Sequence, residues 1–198
     1  MTTLVVIDPG LSSGICVGEY SDTEPFRPTH AFQIEGGLTG FFDSFDRISE
    51  IEFNQFELWI GKYGSDNLHR VDMEDEDSVR FVCEKFTPRQ SLTLKSAEPL
   101  RIEGALVQMG IVPDYVQGGK NPQWQHPPAQ YFCGGQTLSE KKKRSREFLK
   151  KHGLHLTGKM VGCKDADDAI SARLHAFAYM RRIKHMPTLR HYFGEETE

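Results

Sequence analysis

Residues 4–20 read Leu4-Val5-Val6-Ile7-Asp8-Pro9-Gly10-Leu11-Ser12-Ser13-Gly14-Ile15-Cys16-Val17-Gly18-Glu19-Tyr20. Leu4 to Ile7 is a short apolar run rich in β-branched residues, the composition of a strand buried on both faces. It stops at Asp8-Pro9-Gly10, a turn signal. Residues 13–20 return to strand character within hairpin distance, and residues 29–35 supply a third strand. An antiparallel three-strand meander follows, with Asp8 at the C-terminal end of its first strand.

Outward from this meander the pattern turns helical. Leu38, Phe41, Phe42, Phe45, Ile48 and Ile51 recur at three- and four-residue spacing, which predicts an amphipathic helix over 38–53, with room to continue through Phe56 and Trp59. The acidic run Asp72-Met73-Glu74-Asp75-Glu76-Asp77 has no apolar face and reads as an exposed loop. Val79-Arg80-Phe81-Val82-Cys83-Glu84 is a fourth strand ending on a carboxylate. Residues 95–109 form a helix that stops at Gly110, and Tyr115-Val116 a short fifth strand, so this half builds a parallel β-α-β unit. A charged helix over 139–152 has Ser139 as its expected N-cap and Gly153 just past its end. A last helix runs from Asp165 to about Lys184, and the residues after Met186-Pro187 read as a loose tail. The expected architecture is α/β: a mixed five-stranded sheet, a meander plus two parallel strands, flanked by helices. One domain spans 1–184, with 36–78 as an insertion-like helical and acidic segment, followed by a tail over 185–198.

The 198 residues suffice to bury a core without disulfide or metal staples. Cysteines at 16, 83, 133 and 163 lack the close spacing of a zinc or redox motif, which suggests a reduced intracellular protein. Neither a secretion signal nor an apolar run of membrane-spanning length is evident, so the expected location is the cytoplasm. The net charge of −4 conceals an asymmetry. Residues 1–138 hold 10 Lys/Arg against 20 Asp/Glu, whereas residues 139–190 hold 14 against 5. A basic C-terminal third on an acidic body suits contact with phosphates on one surface; the alternative is a pair of solvated basic helices. No G-x-G-x-x-G follows the first strand, which disfavours a dinucleotide cofactor.

Asp8 and Glu84 both end apolar strands, where sheets of this class present functional side chains. Each has a plainer reading, Asp8 as an ordinary turn residue and Glu84 as an ion-pair partner of Lys85 or Arg89. In Asp165-Ala166-Asp167-Asp168-Ala169, Asp165 and Asp168 share a helical face while Asp167 turns away, and His175 lies two turns beyond Asp168 on the same stripe. Acids in a first helical turn also simply complement the helix dipole. Together, however, two strand-end carboxylates and a carboxylate pair on a terminal helix make an oxygen-rich negative pocket that calls for cations. Hard oxygen ligands suit Mg²⁺ or Mn²⁺, and two such ions about 3.5–4 Å apart can support phosphodiester hydrolysis.

The order Val5-Val6-Ile7-Asp8-Pro9-Gly10, then Phe81-Val82-Cys83-Glu84-Lys85-Phe86, then Asp165-Ala166-Asp167-Asp168-Ala169-Ile170 resembles the RuvC family of Holliday junction resolvases, particularly its bacteriophage-borne members. Asp168-Ala169 followed by His175 and Tyr179 looks like the ending of the phage group. The resemblance spans most of residues 3–184 and is weakest over 36–78. It implies a ribonuclease H-like fold, a homodimer, and paired nicks across a four-way DNA junction, in the host cytoplasm for a phage-encoded chain. It implies Asp8, Glu84, Asp165 and Asp168 as metal ligands, with His175 orienting a ligand or the attacking water. Asp167 replaces Asp165 in this set if the helix starts later. Phe86 stands near the position of an aromatic that inserts at the junction in some relatives, but at an unusual spacing.

Lys141-Lys142-Lys143-Arg144-Ser145-Arg146, with Lys120 and Lys159, offer phosphate contacts that position DNA without reading its sequence. His152 and His155 have no evident companion ligand. Exonucleases, flap nucleases and RNA–DNA hybrid nucleases share such a fold and metals. Two readings lie outside this class: a non-catalytic DNA-binding protein, and an actin-like ATPase, whose first phosphate loop residues 8–14 also resemble. The chain is too short for the second lobe of an ATPase of that kind.

Overall fold

The computed structural model describes residues 1–45, 57–60, 69–72, 78–86, 94–116 and 137–194. Strands β1 (Thr2–Asp8), β2 (Ser12–Tyr20) and β3 (Arg27–Glu35) form the antiparallel meander. Strands β6 (Val79–Glu84) and β7 (Asp114–Val116) add in parallel on the other side of β1. The resulting order, β3-β2-β1-β6-β7, is that of a ribonuclease H-like sheet. Between the two halves, β4 (Glu57–Ile60) and β5 (His69–Asp72) pair as a separate antiparallel ribbon.

The sheet sorts its side chains by parity, because successive residues of a strand point to opposite faces. Leu4, Val6, Cys16, Val82 and Val116 lie in one core cluster, and Val5, Ile7, Ile15, Val17, Phe81 and Cys83 in the other. Helices α3 (Leu138–Lys151), α5 (Asp167–Arg182) and α6 (Met186–Phe193) contribute to the first cluster, together with the short turn α4 (Gly158–Val161). Helices α1 (Gly37–Phe45) and α2 (Leu94–Gln108) contribute to the second. Leu4 to Ile7 have no solvent exposure, as a central strand covered on both faces requires. No helix among the described residues is long and apolar enough to cross a membrane.

Several boundaries differ from expectation. Trp59 lies in β4, not in a continued helix; Glu57 to Ile60 pair with β5, and residues 46–56 lie outside the described set. Of the acidic run, Asp72 ends β5, and 73–77 lie outside as well. Helix α3 is capped by Thr137 rather than Ser139: the Glu140 amide donates to Thr137 Oγ1 at 3.2 Å, and the Thr137 amide donates to Glu140 Oε2 at 3.1 Å. This Thr-x-x-Glu box satisfies two orphan amides at once, which a serine two residues later cannot do. Helix α5 starts at Asp167, leaving Asp165 before it.

The expected tail contains a helix, Met186–Phe193, and residues 195–198 lie outside the described set. Pro187 sits in the first turn of α6, where its missing N–H costs nothing. Thr188 and Leu189 are buried, and the Phe26 amide donates to Thr188 Oγ1 at 2.8 Å. Tyr192 and Phe193 join Phe148 and Phe177 in an aromatic cluster, with ring centroids 4.8 Å apart for Phe177–Tyr192 and 5.2 Å for the stacked pair Phe148–Phe193.

Candidate metal centre

In the parallel register Ile7 pairs with Cys83, so the next residues, Asp8 and Glu84, emerge side by side at the strand ends. Both share the parity of Val6 and Val82, which places them on the face covered by α5. There they meet His175, and ligand atoms of Asp8, Glu84 and His175 all lie within 4.8 Å of one another. His175 is 1 % exposed, with Nε2 3.5 Å from Glu84 Oε2, and among the described residues neither ring nitrogen has a hydrogen-bond partner. A buried imidazole in this position is costly unless its nitrogens are satisfied, which fits a ring that ligates a metal or binds water.

The electrostatics agree. Burial, then the charge of Glu84, holds the Asp8 carboxyl well above its ordinary range, against the opposing effects of His175 and Ser171. Burial lowers the His175 pKa despite Asp8, so the ring is neutral, the form that binds metal or accepts a proton. Lys85 does not neutralise the site: its ammonium lies 2.6 Å from Glu103 Oε1 and over the Tyr115 ring. Arg89, the other partner expected for Glu84, lies outside the described residues.

Asp168 approaches from the first turn of α5. Burial raises its pKa, with the charges of Asp8, Asp165 and Asp167 adding to the effect and Ser12 opposing it. This approach depends on Gly14, which pairs with Asp8 across β1 and β2. A Cβ on Gly14 would stand 1.9 Å from the Asp168 carbonyl oxygen, so the start of α5 rests directly on the β2 backbone. A glycine inside a strand signals such close approach, so Gly14 carries the signal in the sequence, although the helix concerned is not legible there.

Asp165 is exposed and engaged elsewhere. Its Oδ1 accepts from Gln33 Nε2 and from the Asp167 amide, both at 3.3 Å, and these contacts lower its pKa. Asp167 turns outward to Arg146, 2.8 Å away, which sets α3 beside the first turn of α5. Lys142, Lys143, Arg144 and Arg146 are exposed along α3, and Lys141 belongs to the same helix. Lys143 lies 4.0 Å from Glu147. Lys159 is exposed on α4, and Lys120 lies outside the described residues. Tyr179 is hydrogen-bonded to Asp114 at 2.8 Å, at the opposite end of β7 from Glu84's neighbour Val116. His152 packs against Phe148 and Tyr192.

No model of a known protein family matches the chain. A search of curated proteins likewise finds no match. Among solved structures, the chain is similar to Thermus thermophilus RuvC at 14 % identity, covering 93 % of this chain and 98 % of that one, with a TM-score of 0.41. It is also similar to T. thermophilus RuvC in complex with Holliday junction substrate, at 16 % identity over 92 % of this chain and 96 % of that one, with a TM-score of 0.45. The strand order and directions themselves define the fold.

Proposed function

We propose that this chain is a metal-dependent, structure-selective DNA endonuclease that hydrolyses phosphodiester bonds in branched DNA, with the four-way junction as its substrate and a homodimer as its working form. The observation that carries the hydrolytic reading is the convergence of Asp8 and Glu84, at the ends of parallel strands, with the buried His175 of α5. The ordered motifs around Asp8, Glu84 and Asp168 support the choice of junction DNA.

The donor set fits hard divalent cations such as Mg²⁺ or Mn²⁺, with Asp8, Glu84 and Asp168 as oxygen ligands and two ions as the expected complement. When bound, they would supply charge neutralisation and Lewis acidity for the scissile phosphate. Asp8 and Glu84 present oxygens from rigid strand ends, so little reorganisation is needed to hold the site. The neutral His175 ring can orient Glu84 or take a proton from an attacking water. The α3 cations, set next to the site by the Arg146–Asp167 pair, bind phosphates and register the duplex arms.

The test is cleavage of an end-labelled four-way junction beside flap, RNA–DNA hybrid and linear duplex, in Mg²⁺ and in Mn²⁺, with Asp8→Asn as control. Paired symmetric nicks on the junction, lost in the variant, are the expected result, with sedimentation at twice the chain mass. Cutting of the flap or hybrid alone would keep the metal site and discard the junction. No cutting of any substrate would leave a DNA-binding protein on a nuclease fold.

A further inference from the structure

We propose that Gln33 is the positioning residue of this centre: its amide braces the start of α5, ties Asp165 to that brace, and leaves Asp168 as the α5 carboxylate that joins Asp8 and Glu84. The inference rests on the metal-centre reading above and reassigns one of the acids expected to be a ligand.

Gln33 lies in β3 directly opposite Gly14, and Gly14 lies opposite Asp8. Glu84 follows on β6 through the Ile7–Cys83 register. Gln33, Gly14, Asp8 and Glu84 therefore form one row across four strands, and the N-terminal end of α5 lies over it. Each member has a distinct part. Gly14 leaves room for the helix backbone, the two acids form the cluster with His175, and Gln33 binds the helix start.

That binding is unusually complete for one side chain. Gln33 is 6 % exposed. Its Oε1 accepts from the amides of Asp168 and Ala169, at 3.2 and 3.4 Å, while Nε2 donates to Asp165 Oδ1 at 3.3 Å. Its main-chain oxygen accepts from Cys163 Sγ at 3.3 Å. Ala166, the N-cap residue of α5, has no side chain able to satisfy those first-turn amides, so the cap comes from another strand. A neutral amide serves both partners where a carboxylate would not, because the helix amides need an acceptor and the Asp165 carboxylate needs a donor.

Asp165 is exposed, and its Oδ1 already receives Gln33 Nε2 and the Asp167 amide. Asp168 has its main chain set directly over Gly14, the residue opposite Asp8, and held there by the Gln33 contact.

The experiment is calorimetric titration of the full chain with Mn²⁺, paired with hydrogen exchange at the Asp168 and Ala169 amides of the metal-free protein. Gln33→Leu removes the brace, and the isosteric Gln33→Glu keeps the acceptor but sets a carboxylate against Asp165. Both are expected to weaken Mn²⁺ binding by about 10–100-fold, the usual effect of losing an outer-shell partner. Asp165→Asn retains an acceptor for Gln33 and is expected to bind Mn²⁺ nearly as the wild type does. Combining Gln33→Glu with Asp165→Asn exchanges donor and acceptor and is expected to restore affinity, which a general loss of stability would not allow. Gln33→Leu is further expected to accelerate exchange at the two amides.

The proposal is overturned if Asp165→Asn abolishes Mn²⁺ binding as Asp8→Asn does, since Asp165 would then be a ligand. Wild-type affinity in both Gln33 variants, or unchanged amide protection in Gln33→Leu, overturns it equally. A wild-type protein that binds no Mn²⁺ overturns the metal-centre reading and this inference with it. Loss of amide protection in Gln33→Leu would then identify Gln33 as a helix cap alone.

Discussion

Burial and the neighbouring Glu84 hold the Asp8 carboxyl protonated at a pH where a free aspartate has ionised, so folding of the metal-free protein is linked to proton uptake. Between the unfolded pKa of about 3.9 and the raised folded value, the native state binds more protons than the unfolded one. Metal-free stability therefore falls as pH rises through that window and levels off above it. Asp8→Asn is expected to flatten this dependence. It should raise the metal-free Tm at neutral pH by about 2–4 °C if the relief is near 1 kcal/mol, while abolishing cleavage. Calorimetric scans across pH in a chelating buffer check the sign; a lower Tm in the variant would mean that the carboxylate stabilises the apo fold. Gly14→Ala tests the other constraint at the centre. Its Cβ meets backbone rather than a yielding side-chain tip, so a destabilisation of about 1–3 kcal/mol is expected, with Mn²⁺ affinity falling as α5 is pushed off β2. Urea titration and calorimetry separate the two effects. Asp8 and Glu84 are legible as candidates because a strand ending on a carboxylate is a local pattern. Gln33 is not, because a glutamine in a strand carries no mark of the helix it will cap.

Helix α3 joins two roles, one structural and one electrostatic. Thr137→Ala removes the capping box and is expected to cost about 1 kcal/mol, read from the urea midpoint, with little effect on junction binding. Replacing Lys142, Lys143 and Arg144 by Ala should do the reverse. Junction affinity is expected to fall, and the dependence of log K on log salt to become shallower by about 0.9 for each phosphate that is no longer neutralised, with stability nearly unchanged. Fluorescence anisotropy over a salt series distinguishes this from a solvated basic face, for which the slope would not move. The core strands are readable from composition, since β-branched runs bounded by turn residues leave few alternatives. Helix α6 escapes a sequence reading because Pro187 looks like a terminator, although proline is equally at home in a first helical turn. The β4–β5 ribbon escapes because aromatic residues at helical spacing run up to it, and pairing with β5 outweighs that periodicity.

Across the whole molecule, the sheet holds the acids at one end while α3, α5 and α6 close over the same face. Ending the chain after His185 removes Leu189, the Thr188 hydrogen bond to Phe26, and two rings of the aromatic cluster. The expected loss is about 3 kcal/mol or more, seen as a lower urea midpoint, because Phe148 and Phe177 would be left facing a void or water. Unchanged stability would restore the picture of a loose tail. The identity and direction of the five strands of the main sheet, the strand-end acids and the basic helix are present in the chain's own patterning, because propensity, periodicity and turn chemistry act over a few residues. The row that sets Gln33, Gly14, Asp8 and Glu84 under α5, the hydrogen bonds of Asp165 to Gln33 and the Asp167 amide, and the seat of α6 are visible only in the packed molecule. Register and close approach are properties of segments far apart in sequence, and they are selected by which buried amides, carboxylates and rings can be satisfied together.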